Sequence, residues 1–81
     1  MTVKILYFAS FREKAGRDEE SRQVPDGCRV DELWRRLARE VPYFAAFGSA
    51  PPAAVNREYA NAGRELKDGD EVAFLPPVAG G

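Results

Sequence analysis

Two apolar runs at opposite ends of the chain constrain the fold more than any other feature. Val3-Lys4-Ile5-Leu6-Tyr7-Phe8 stands near one end and Glu71-Val72-Ala73-Phe74-Leu75 near the other. Both are rich in β-branched and aromatic residues and read as strands. The first is apolar on both sides apart from Lys4, so it belongs at the centre of a sheet. Between the runs, Val30, Leu33, Trp34, Leu37, Ala38 and Val41 recur at the spacing of one helix face. A crossover that contains a helix makes a pairing of the terminal strands parallel. The expectation is an α+β fold: a mixed sheet with one long helix packed across one face.

The remaining punctuation fits that frame. Ser10 with Glu13 three places on reads as a capping box, and Gly16 as a stop, giving a short helix over 10–15. Residues 18–24 are mostly polar and read as an edge strand, ended by the turn Pro25-Asp26-Gly27. Asp31 and Glu32 suit the positive end of the long helix, and Pro42 stops it. Residues 43–51 carry Tyr43, Phe44 and Phe47, more aromatic content than a plain loop needs. Ala53-Ala54-Val55-Asn56 reads as a short strand and Asn56-Arg57-Glu58 as a turn. Asp68-Gly69-Asp70 reads as a tight turn with Gly at positive φ, because the ligand series of a calcium loop is missing.

Composition matters chiefly for what it excludes. At 81 residues the chain has room for one core. Twelve basic against 13 acidic side chains leave a net charge of −1, so bulk positive charge toward nucleic acid or membrane is not expected. Arg35, Arg36 and Arg39 then read as the solvated side of the long helix. There is no histidine, which removes Ser-His-Asp, Cys-His and His-metal chemistry. The single cysteine, Cys28, makes no intrachain disulfide, and no metal site is expected. No apolar run reaches the roughly 20 residues of a membrane span, and the start reads as strand, not signal peptide. A cytoplasmic location is the expectation.

What remains for chemistry is the tail, residues 76–81, beyond a domain of residues 1–75. Pro76 and Pro77 cannot donate to a ladder and favour an extended exit. After Val78 and Ala79, Gly80 and Gly81 carry no Cβ and fit a narrow channel. Six extended residues reach about 20 Å.

The run from Asp68 to Gly81, with Glu71-Val72-Ala73-Phe74-Leu75-Pro76-Pro77-Val78-Ala79-Gly80-Gly81 at its end, resembles the C-terminal signature of the sulfur-carrier (small) subunits of molybdopterin synthase. Ala54-Val55-Asn56 resembles that family's middle strand. Lys4 to Ala9, followed by Arg12-Glu13, resembles its N-terminus. Two positions depart: Leu75 stands where the family often has an aromatic residue, and Arg29 where it has Thr or Ser ahead of the long helix, so that the helix cap is weaker or supplied by Asp26. The resemblance implies a ubiquitin-like β-grasp fold and a carrier that binds no cofactor. Gly81 would be adenylated, with ATP, by a ubiquitin-activating-like adenylyltransferase. A persulfide donor would then convert it to a thiocarboxylate. In a heterotetramer, the tail would enter the large subunit and deliver sulfur to cyclic pyranopterin monophosphate. The docking face implied by motif position comprises Phe8, Arg12, Tyr59, Leu75, Pro76 and Pro77. An α-carboxyl is an anion at pH 7 and a poor electrophile, so activation must precede sulfur transfer. With no histidine of its own, the chain leaves acid–base work to its partners.

Three other functions share parts of this pattern. A sulfur carrier for thiamine or tRNA thiolation would have the Gly-Gly end but not the Glu-Val-Ala-Phe-x-Pro-Pro-Val run. A ubiquitin-like modifier would form an isopeptide bond to a lysine. An interaction domain would use neither.

Overall fold

The computed structural model describes residues 1–76. Pro77, Val78, Ala79, Gly80 and Gly81, all of the expected tail but Pro76, lie outside the described residues. The chain runs β1 (Thr2–Tyr7), α1 (Ala9–Ala15), β2 (Glu19–Gln23), α2 (Val30–Ala38), α3 (Pro42–Ala45), β3 (Ala53–Val55), β4 (Glu58–Ala60) and β5 (Glu71–Phe74). The five strands form one sheet in the order β2-β1-β5-β3-β4. β1 and β5 pair in parallel, with Ile5 opposite Val72, and every other pairing is antiparallel. The two apolar runs are thus neighbours inside the sheet, and polar β2 is an edge.

One face of the sheet is core. Val3, Ile5, Tyr7, Ala53, Val55, Val72 and Phe74 point into it and meet Val30, Leu33, Trp34 and Leu37 from α2. Trp34 anchors an aromatic cluster, with ring centroids 4.8 Å from Phe44, 4.9 Å from Phe74 and 5.4 Å from Phe11. The aromatic stretch after α2 is therefore mostly packing: α3 drives Phe44 into the core, while Tyr43 and Phe47 lie against it.

Local details depart from the sequence reading in four places. The capping box at Ser10 does not form: Phe8 is the N-cap of α1 and no side chain caps it. Gly16 ends that helix in the left-handed region, as its position suggests. α2 ends at Ala38, short of Val41, because Pro42 forces the residue before it into extended backbone. Neither Arg29 nor Asp26 caps α2; the carbonyls of Arg64 and Ala62 accept from the Val30 and Asp31 N–H groups at 3.0 and 2.9 Å. Finally, Glu58 begins a further strand, β4, and the turn is only Asn56-Arg57.

Candidate functional site

Strand alternation sends the residues between the core positions to the opposite face. That face carries no helix. A row crosses the whole sheet there: Glu19, Leu6, Ala73, Ala54 and Tyr59 are successive partners on neighbouring strands. Leu6, Ala73 and Ala54 are half-buried, and their small or slender side chains form the floor of an open groove. Phe8, 46% exposed, and Leu75 stand at its end nearest the tail. Lys4, Glu19, Arg57 and Glu71 bring charge to its walls, and the groove encloses ≈ 530 Å³. Lys4 holds Glu19 at 3.1 Å.

Leu75 also borders a second, more apolar cleft of ≈ 580 Å³, with Phe47, Pro51, Pro52, Tyr59 and Pro76. The Leu75 N–H donates to the Pro52 carbonyl at 2.8 Å, which pins the chain where it leaves the sheet. Tyr59 is 84% exposed on β4 and borders that cleft. Phe8 and Tyr59 are the two large apolar side chains most open to water among the described residues. Exposed apolar surface gathered in one region of a small domain marks a partner site.

Of the residues singled out from the sequence, Phe8, Tyr59, Leu75 and Pro76 surround the root of the tail. Arg12 does not line either depression; it is exposed on α1 and sits 3.7 Å from Asp18. Sequence reasoning missed Leu6, Ala54, Ala73 and Arg57. The first three were recoverable by alternation once Val72 and Ile5 were placed inward; Arg57 had no local signal.

A hairpin lock holds the groove's far end. Asn56 donates its side-chain amide to Asp70 at 2.9 Å and accepts from the Glu71 N–H at 3.0 Å. Asp70 is nearly buried and takes the Lys67 N–H at 2.8 Å. The displaced titrations lie elsewhere. Burial and a 2.5 Å hydrogen bond to Glu20 push the Tyr7 phenol well above its ordinary range. Arg22 bridges Glu20 and Glu40 beside it and pulls the Glu40 carboxyl down. Burial pushes the Cys28 thiol up, so it is a poor nucleophile. Among the described residues, no group of three or more His, Cys, Asp or Glu side chains is placed to hold a metal, and no helix is long and apolar enough to cross a membrane.

Nothing in this arrangement forms a catalytic constellation. Exposed apolar side chains stand instead at the foot of the C-terminal segment, in a fold that known proteins share. The chain is 37% identical over its full length, and over the full length of the relative, to a molybdopterin synthase sulfur carrier subunit of Chlamydomonas reinhardtii. A complex of subunits 1 and 2 of the molybdopterin-converting factor of Helicobacter pylori contains a similar chain, with a TM-score of 0.66 and 28% identity, both chains covered entirely. The small archaeal modifier protein 1 of Methanosarcina acetivorans gives a TM-score of 0.80 at 26% identity, covering 99% of this chain and 96% of that one. These neighbours share the ubiquitin-like β-grasp fold. The ThiS family model matches residues 5–81, from the middle of β1 to the terminal glycine. By sheet order, by the helix that covers one face and by this match, the chain belongs to the ThiS family.

Proposed function

We propose that this chain is the sulfur carrier of a molybdopterin synthase and serves molybdenum cofactor biosynthesis. The observation that carries the reading is a bare apolar face at the root of a Pro-Pro-Val-Ala-Gly-Gly end, in a chain matching carrier subunits along its whole length. The chain is not an enzyme on its own. Its Gly81 carboxylate is activated by a partner adenylyltransferase at the expense of ATP. The acyl adenylate is the electrophile that a carboxylate is not: the terminal sulfur of a partner's persulfide attacks it, AMP leaves, and a second thiol of the donor cleaves the resulting acyl disulfide, releasing the thiocarboxylate and leaving a disulfide on the donor. The resulting thiocarboxylate is a nucleophile, and the large subunit receives it with the tail inserted and the open face docked. Cyclic pyranopterin monophosphate takes the sulfur there, two loaded carriers serving each dithiolene.

The test is the terminus itself. Protein from cells with the pathway running should gain the mass difference of one oxygen exchanged for sulfur, confined to the C-terminal peptide. Deleting Gly81 withdraws the carboxylate by about 3.5 Å, and misplacement on that scale costs orders of magnitude in rate. A C-terminally tagged, unprocessed chain that still supported molybdopterin synthesis in a carrier-null strain would overturn the reading. A second reading, protein modification, is favoured by the likeness to a small archaeal modifier protein. It would appear as lysine adducts ending in Gly81, lost with the same deletion.

A further inference from the structure

The β3–β4 connection is a two-residue turn, and both of its residues lie at positive φ: +52° at Asn56 and +71° at Arg57. A primed turn of this kind matches the right-handed twist of its strands, and its second position is the natural place of glycine. Asparagine tolerates the left-handed region, and Asn56 is anchored there by Asp70 and the Glu71 N–H. Arginine at the second position gains nothing from the turn and bears the backbone cost of the left-handed region. Its side chain lines the open groove together with Ala54, Ala73 and Leu75. Lys4, the other cation in that groove, is occupied by Glu19. Among the described residues Arg57 enters no ion pair. Glu71 shares the groove without closing on it. A strained position thus displays an uncommitted guanidinium at one end of an apolar docking face.

We infer that Arg57 is a specificity residue of that face, pairing with a carboxylate that the large subunit presents at the hairpin end of the groove; this rests on the synthase reading above. A guanidinium suits the role because its planar fork engages a carboxylate through two parallel N–H donors, which an ammonium cannot do. A pair closed at the edge of an apolar contact is partly shielded from water and rejects partners that lack the acid.

The experiment is calorimetric titration of the large subunit with the full chain, at several salt concentrations, with Arg57→Gly and Arg57→Lys beside the wild type. Arg57→Gly should fold with an unchanged or raised melting temperature, since glycine relieves the turn. It should nonetheless bind about tenfold more weakly at low salt, with a flatter salt dependence. Arg57→Lys should keep the salt dependence and lose part of the affinity. Opposite movements of stability and affinity in one variant cannot arise from a damaged fold. Equal affinity and equal salt dependence in Arg57→Gly and wild type would overturn the assignment of Arg57 alone. Failure of the wild-type chain to bind the large subunit at any salt would overturn the synthase reading and this inference with it.

Discussion

Ile5, Val72 and Val55 are buried on one face of the sheet; Leu6, Ala73 and Ala54, each one step along the same strands, are half-buried on the other. The inner residues touch α2 and the aromatic cluster. The outer ones, with Leu75 and Phe8, border an open groove. The inner three are β-branched and the better strand formers, but propensity favours the strand and does not by itself bury a side chain. The difference is which face the single long helix covers. One face holds the domain together, and the other is the face proposed above to dock a second protein.

That contrast can be broken from the core side first. Trp34 is buried among Phe11, Phe44 and Phe74. Trp34→Ala should cost on the order of 3 to 5 kcal/mol. For a domain of this size that is most of the available stability, and chemical denaturation should show it as a midpoint near or below zero denaturant. A loss under 1 kcal/mol would mean the aromatic cluster is not the core.

On the open face the same kind of truncation should leave folding alone. Leu75→Ala should shift the melting temperature little, yet weaken association with the large subunit by about 1 to 2 kcal/mol, read by calorimetry, as loss of an interface anchor does. If Leu75→Ala destabilised the free domain as much as it weakened binding, the two faces would not be separable in the way the burial suggests.

The smallest effect concerns Tyr7, whose ring is on the core side while its hydroxyl reaches Glu20. Its folded pKa is raised above the ordinary value of 10.0 by burial and by Glu20. The folded state therefore holds the phenolic proton more tightly than the unfolded chain. This contribution to stability is complete below about pH 10 and is lost as pH rises through the folded value. Tyr7→Phe should remove that alkaline component from the stability–pH profile and, by deleting the hydrogen bond to Glu20, cost about 1 kcal/mol at pH 7. An identical alkaline limb in the variant would assign it to another group.

How far the site could be read in advance differs from residue to residue. The terminal Pro-Pro-Val-Ala-Gly-Gly run reads from composition as a thin segment with an extended exit, and all of it but Pro76 lies outside the described residues. Phe8 and Leu75 were legible as apolar but not as exposed, since alternation separates neighbours without saying which side the helix occupies. Arg57 was legible as a turn residue, within Asn56-Arg57-Glu58, but not as part of the groove: neither its φ of +71° nor the face its side chain lines has a local signal, since glycine is the usual residue at that position. The start of α2 was half legible: a side-chain cap is missing, as Arg29 suggests, and Asp26 does not replace it. Its first N–H groups are met by the carbonyls of Ala62 and Arg64, more than thirty positions away, and no local residue pattern encodes a partner at that separation.

The sequence by itself determined the two apolar strands, the amphipathic α2, and the glycines that end α1 and turn before β5, because periodicity and backbone stereochemistry are local properties. It also determined the parallel pairing of β1 with β5, since two apolar strands separated by a helical crossover have few other ways to be buried together. Tertiary structure alone decided which face α2 covers, which apolar side chains are left to water, and where the hairpin aims Arg57. Those outcomes depend on contacts between residues far apart in the chain, and the free energy that selects among them exists only once the strands and α2 have come together.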